Sequence, residues 1–230
     1  NQLGTYNTDW QDQIYQNAIS QDHNISVTGG YKNIPYRASV GYTNQNGILK
    51  TSNFQRVTGA LSLSPSFFDD HLKVNVNAKG MYVYNRYADG GAIGQAVTMN
   101  PTLPVTSEDE PYKTTFGGYV QSYNVISGKT WYNTLAIPNP VATLMLKNDV
   151  ANSTDFIGNV EFDYKFHFLP EMRAHLNLGT DQAHGVQDLL IQTTSSSDSN
   201  WGRIGSEEKT KFNNQLNFWL QYAKEIDKHK

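Results

Sequence analysis

His167, His175 and His184 lie on one stretch of chain, and the first two straddle a short Leu-Pro-Glu turn. Imidazoles brought to one side of a turn are common transition-metal ligands, so this spacing raises a metal-site reading. No third ligand stands at a clear interval, and the chain has no cysteine to supply one. The three are therefore expected to be polar, lumen-facing residues. Glu108, Asp109 and Glu110, and the tip Asp198-Ser199-Asn200, offer oxygen ligands to a hard cation, yet neither follows the spacing of a calcium loop. "GGAIG" at residues 90–94 does not complete the three-glycine G-x-G-x-x-G spacing of a dinucleotide-binding turn and sits in no βαβ unit. Ser, His and Asp all occur, without the G-x-S-x-G elbow that would expose a nucleophile. The expectation is a non-enzyme with no cofactor and no metal.

Aromatic side chains are a stronger signal. Tyr112, Phe116, Tyr119, Tyr123, Trp131, Tyr132 and Trp201 fall in segments that the pattern assigns to exposed loops. Exposed rings usually find a partner, and flat amphipathic faces serve sugars and proteins alike. These seven are the candidate contacts for substrate or partner. The competing reading is that the loops pack on one another.

The elements that position those loops follow from a period of two. In "DFIGNVEFDYKFHFLPEMRAHLNLGTD", residues 155–181, Phe156, Val160, Phe162, Tyr164, Phe166 and Phe168 share one parity, and Asn159, Glu161, Asp163, Lys165 and His167 the other. Successive side chains of a strand point to opposite faces, so this stretch builds a sheet with one apolar and one ionic side. Only 38% of the 230 residues are apolar and the mean hydropathy is −0.57, with 14 tyrosines and 10 phenylalanines as the main apolar material. No apolar run approaches the roughly 20 residues of a membrane helix, whereas the alternation of a membrane β-barrel dilutes hydropathy in this way. The net charge of −3, with both signs interspersed, provides no basic stripe for nucleic acid. Starting at Asn1 with no leader, the sequence is expected to be a mature segment or an internal fragment.

Seven such segments are predicted as strands, near residues 23–31, 36–43, 54–63, 72–84, 155–168, 172–181 and 210–222. The last sets Phe212, Leu216, Phe218, Leu220 and Tyr222 against Lys211, Asn213, Gln215, Asn217 and Gln221. Connections at 29–35, 64–71 and 169–171 are short and turn-like, while those at 44–53, 85–154 and 183–209 are long. In an up-and-down antiparallel meander this puts all short turns at one end and all long loops at the other, the form of an outer-membrane barrel. Within the long loop 85–154, "GAIGQAVTM" and "NPVATLMLK" are expected to form short helices, the second capped by Asn139 with Pro140 at its first position. A soluble antiparallel β-sandwich that binds carbohydrate is the alternative, although sandwiches carry comparable loops at both ends.

Several spaced phrases resemble one known family. "NTDWQDQIYQNAISQDHNISVTGG" followed by "YRASVGYTNQNGILKTSNFQRVTGALSLS", and "NPVATL" followed by "FIGNVEFDYKFHFLPEMRAHLNLG", are similar to the barrel of SusC/RagA-type TonB-dependent outer-membrane transporters of Bacteroidetes. In that family Asn7-Thr8-Asp9-Trp10-Gln11 precedes a strand, Gly47-Ile48 sits in an outer loop, and Asn139-Pro140-Val141-Ala142 opens a loop helix. The resemblance implies a wall section of a bacterial outer-membrane importer of glycans or peptides. It further implies a SusD-like surface lipoprotein as lid and TonB, acting through an N-terminal part, as energy source. The family's plug domain, its TonB box and most of its barrel of about 22 strands would lie outside this sequence. On this reading Val160, Phe162, Tyr164, Phe166, Leu216, Phe218 and Leu220 face membrane lipid, and the Glu161 side faces the lumen.

Overall fold

The computed structural model describes residues 4–32, 34–198 and 201–224. Seven long strands form one antiparallel meander: β1 (Ser20–Tyr31), β2 (Ile34–Asn46), β3 (Asn53–Leu63), β5 (Leu72–Arg86), β8 (Lys147–Lys165), β9 (Met172–Ile191) and β10 (Arg203–Tyr222), hydrogen-bonded in that order. A two-residue strand, β4 (Ser66–Phe67), pairs with the start of β5. The sheet is open, with β1 and β10 at its edges. No helix among the described residues is long and apolar enough to cross a membrane.

Register aligns the alternation of every strand. Phe162 stands between Val74 and Leu176, with Phe218 next in the row; Val160 stands between Val76 and Leu178, with Leu216 beyond and Leu63 and Tyr36 on the other side. One residue along, Glu161 lies between Asn75 and Asn177. A one-residue slip in any pairing would move a whole strand's apolar set to the ionic face, so the register is strongly specified. Gly158 supplies space on the apolar face: a Cβ there would lie 3.2 Å from the ring of Phe156.

Among the described residues that apolar face is largely open, Val74 being its one buried large apolar side chain. Leu216, Phe218 and Leu220 are 67, 61 and 52% exposed, and Ile25, Val27 and Val40 are similarly open. The other sheet among the described residues is a two-stranded hairpin, β6 (Tyr123–Ile126) with β7 (Lys129–Tyr132), which belongs to a loop. The sandwich alternative requires a second sheet on this face, and none is present among the described residues. From Leu72 to Tyr82 the apolar parity of β5 rises about 34 Å along the strand, or about 26 Å at a 40° tilt, the height of an outer-membrane apolar band.

At the long-loop end, strand boundaries depart from the sequence expectation in one consistent way. β1 begins at Ser20, β8 at Lys147, and β10 at Arg203, while β9 continues to Ile191. The expected loops 85–154 and 183–209 shrink to 87–146 and 192–202. Apolar alternation stops where the apolar band stops, but ladder hydrogen bonds continue, because each strand still has neighbours on which to pair. At the short-turn end the first turn narrows, with β1 running to Tyr31 and β2 starting at Ile34, whereas β8 ends at Lys165 instead of the expected 168 and leaves Phe166 and Phe168 in the turn. Positive φ falls at Lys32 in the first turn and at Phe68, Asp69 and Asp70 in the second.

Buried core sits at the long-loop end. Helix α1 (Trp10–Ile14), not anticipated from the sequence, packs with α2 (Gly91–Thr98) and α4 (Pro140–Met145) through Trp10, Ile14, Ala92, Ala96, Met99, Val141 and Leu144. These helices, the single turn α3 (Tyr112–Thr115) and the β6–β7 hairpin form a dome over one end of the sheet.

Candidate functional site

Two surfaces carry the polar and aromatic chemistry: the dome and the ionic face of the sheet. The dome is organised by Asn139, which is fully buried. Its side-chain oxygen accepts from the amides of Val141 and Ala142 at 3.0 and 3.2 Å, as expected for the cap of α4 with Pro140 in the first turn. Its Nδ2 donates to the carbonyls of Val105 and Val120 at 2.9 and 3.1 Å, tying two loop strands to the helix start. Asp9 caps α1 in the same manner through the amides of Gln11 and Asp12, and this aims Trp10 into the core. There Trp10 Nε1 donates to the carbonyl of Asn100 at 2.9 Å. The two phrases "NTDWQ" and "NPVA" thus meet in one small core.

The seven loop aromatics separate into two groups. Phe116 is fully buried and Tyr132 is 6% exposed, which corrects the expectation that both lie on the surface. Phe116 packs with Tyr112 and Tyr123 at centroid separations of 6.5 and 6.2 Å, while Tyr132 donates its hydroxyl to the carbonyl of Ala136 at 2.8 Å. Tyr119 is half-buried against the α1–α2–α4 core. Burial raises the phenol pKa of Tyr119, of Tyr112 (reinforced by Tyr123 and Asp109) and of Tyr132 (offset in part by Ser196), so all three hold their protons beyond the usual tyrosine range. Tyr123 and Trp131 are partly open at 37 and 36%, and Trp201 is 77% exposed.

The hairpin carries apolar surface that the aromatic pattern missed. Val125, Ile126 and Leu135 are 63, 59 and 97% exposed beside Trp131. Ser127 and Gly128 form its two-residue turn with φ of 52 and 75°, both in the left-handed region that a tight hairpin turn requires. Ser-Gly between the apolar residues of "YNVISGKTWY" was the available signal.

On the ionic face, Arg37, Arg56 and Lys79 surround a concavity of about 430 Å³ with Asn24, Ser39 and Thr58. None of the three cations has an ion-pair partner among the described residues. Arg56 donates to Thr43 Oγ1 at 3.4 Å, and Thr43 donates to Asp22 at 2.7 Å. Toward the short-turn end, Arg173 pairs with Asp163 at 3.0 Å and the nearly buried His175 stacks on Trp219, with centroids 4.9 Å apart and planes 6° from parallel.

The histidines do not converge. His167 stacks on His71 and shares a hydrogen bond with the hydroxyl of Tyr164, which has apolar-face parity; His175 lies on the ionic face; His184 bonds Thr210 well above the apolar band. Among the described residues no group of three or more His, Asp or Glu side chains is placed to hold a metal. Ser199 and Asn200 lie outside the described residues.

No protein-family model matches the chain. Among curated proteins it is 50% identical over 231 residues to the TonB-dependent receptor SusC of Bacteroides thetaiotaomicron, a match covering 97% of this chain and 23% of that protein. It is 28% identical over 165 residues to the TonB-dependent receptor P26 of Formosa agariphila, covering 71% of this chain and 15% of the relative. The chain thus spans about a quarter or less of the length of these relatives. Among solved structures it superposes on the RagAB peptide importer in its closed-closed state with a TM-score of 0.71 at 19% identity, covering 96% of this chain and 24% of the other. At that identity the likeness speaks to the fold: an antiparallel meander similar to the RagAB barrel, left open in this section.

Proposed function

We propose that this chain, which belongs to the SusC/RagA-type TonB-dependent receptors, forms one section of the wall and mouth of an outer-membrane importer. The apolar face of the seven strands meets lipid, the face of Glu161, Arg37 and Arg56 lines the lumen, and the dome stands on the cell exterior. The carrying observation is the pairing of a continuous apolar face, largely open apart from the buried Val74, with a buried hydrophobic cluster at the long-loop end. A soluble domain would bury that face. Glycans or peptides are the cargo class, since a polar lumen with unpaired cations and an aromatic mouth suits hydroxyls, carboxylates and flat sugar faces. Trp131, Trp201, Tyr123 and the apolar hairpin tip are the surfaces offered to substrate and to a SusD-like lipoprotein lid, and TonB acts through a part of the receptor beyond this section.

The test is uptake of labelled oligosaccharides and peptides by cells carrying the complete receptor. Uptake should require the receptor, the lipoprotein and TonB together. Undiminished uptake without the receptor, or recovery of the complete protein from the soluble fraction, would overturn the proposal.

A further inference from the structure

Above the apolar band, the outward side of the sheet carries a polar cleft of about 540 Å³. Asn46, Asn53, Gln55, Tyr84 and Arg86 form its floor, and Gln16 overhangs it from the segment after α1. Register fixes which side this is. Asn46, Asn53 and Arg86 make one row, Gln55 and Tyr84 the next, and both rows share parity with Val57, Tyr82 and Phe162. The cleft therefore opens away from the lumen, and cargo passing along the ionic face does not meet it.

Its side chains are pre-arranged. Asn53 Nδ2 donates to Asn44 and Asn46 at 3.1 and 2.8 Å, and Gln55 Nε2 donates to Asn53 at 3.0 Å. At the lower rim the Tyr82 hydroxyl donates to Asn152 at 2.8 Å. Arg86 has no ion pair among the described residues, no carboxylate lines the cleft, and its Nε is shut off from solvent without a hydrogen-bond partner. A guanidinium is a planar fork suited to phosphate, and ordered amides beside tyrosines suit sugar hydroxyls. Depth agrees with the chemistry. Arg86 lies four residues beyond Tyr82, which is about 13 Å along the strand and about 10 Å above the band at a 40° tilt.

We propose that this cleft binds the phosphorylated saccharide headgroup of a lipid in the outer leaflet, with Arg86 holding the phosphate and the Asn46–Asn53–Gln55 amides the sugar. The assignment rests on the membrane-wall reading above. Its test uses the complete receptor in phosphatidylethanolamine vesicles containing either phosphorylated lipid A or the same lipid with its phosphates removed, and counts retained lipid by native mass spectrometry after extraction. The wild type should retain the phosphorylated form at least tenfold better than the dephosphorylated one. Arg86→Gln should abolish that preference, and Gln55→Glu, which adds a repelling charge, should weaken retention as well. Equal retention by wild type and Arg86→Gln overturns the inference, as does displacement at equal affinity by the soluble phosphorylated saccharide cut from the same lipid. If the receptor fails to enter vesicles, the wall reading falls and this inference with it. If it enters, and lipid still reaches Phe162 while Arg86→Gln changes nothing, this inference alone falls.

Discussion

Phe162 of β8 and Leu176 of β9 stand directly opposite one another on the apolar face, while the adjacent pair Glu161 and Asn177 faces the other way. Lipid and lumen assign opposite costs to the same charge. A Lys at mid-membrane on the lipid side costs about 2–4 kcal/mol, whereas lumen positions already hold ions and water. Val160, opposite Val76 near the middle of the Leu72–Tyr82 band, is the position for that cost. Val160→Lys should strongly destabilise the complete barrel, Phe162→Lys, nearer the short-turn edge, should do so less, and Glu161→Lys should leave its folding nearly unchanged. Spin labels at Phe162 and Phe166 should report acyl chains, and labels at Glu161 and Lys165 should report water. Water at both faces would refute the assignment.

Alternation is legible wherever a face has a single solvent, and so all seven long strands and their parity could be read from the sequence. Their upper halves could not. At Asn152, Gln182 and Thr210 both faces are polar, the period of two disappears, and only neighbouring strands keep the backbone paired. Both expected loop helices form, α2 without a side-chain cap and α4 with one. Asn139-Pro140 announces a helix by its chemistry, and that helix forms as expected. Nothing local distinguishes Phe116 from Trp131, because which ring is buried depends on loops that meet through distant contacts such as Trp10 with Asn100.

Removing the Asn139 side chain should loosen the dome and spare the barrel. Asn139→Ala withdraws a helix cap, worth about 1 kcal/mol, and strands the buried carbonyl of Val120 at a further cost of about 1–3 kcal/mol. Asn139→Asp keeps the cap but loses both donated bonds. Amide exchange at Val141 and Ala142 should quicken at least tenfold in the Ala variant, with exchange in β5 and β8 unaltered. Unchanged protection would show that the hub is dispensable.

Alkaline pH should act on the same region. The raised phenols of Tyr112, Tyr119 and Tyr132 bind their protons more tightly in the folded state. Their stabilisation is therefore complete below the unfolded value of about 10 and is lost as pH climbs through the folded values. Titration followed by ultraviolet absorbance should show phenolate forming late, accompanied by loss of near-ultraviolet dichroism. Tyr119→Phe, which cannot ionise, should shift that loss to higher pH. An early titration with no structural change would contradict the burial of these rings.

The hairpin separates a surface role from a structural one. Val125 and Ile126 project from β6 with more than half of their surface open, and Trp131 on β7 stands opposite Asn124, one pair further from the turn than Val125; Phe116 is fully buried. If the tip seats a lipoprotein lid, burying these side chains contributes about 1.5–3 kcal/mol each when complete. Replacing all three, as Val125→Ser, Ile126→Ser and Trp131→Ala, should then weaken lid association by at least a hundredfold, about 2.8 kcal/mol. The dome should stay folded, because Ser127 and Gly128 still set the turn and the Phe116–Tyr112–Tyr123 cluster is untouched. Phe116→Ala makes the opposite prediction: it leaves a cavity, destabilises the dome by about 3–5 kcal/mol, and disturbs the lid only through that loss. Binding of the purified lipoprotein, measured beside amide exchange in residues 105–146, distinguishes the two. A triple variant that binds the lid normally would return Val125, Ile126 and Trp131 to the status of bare loop surface, and leave Trp201 and Tyr123 as the remaining candidates for contact.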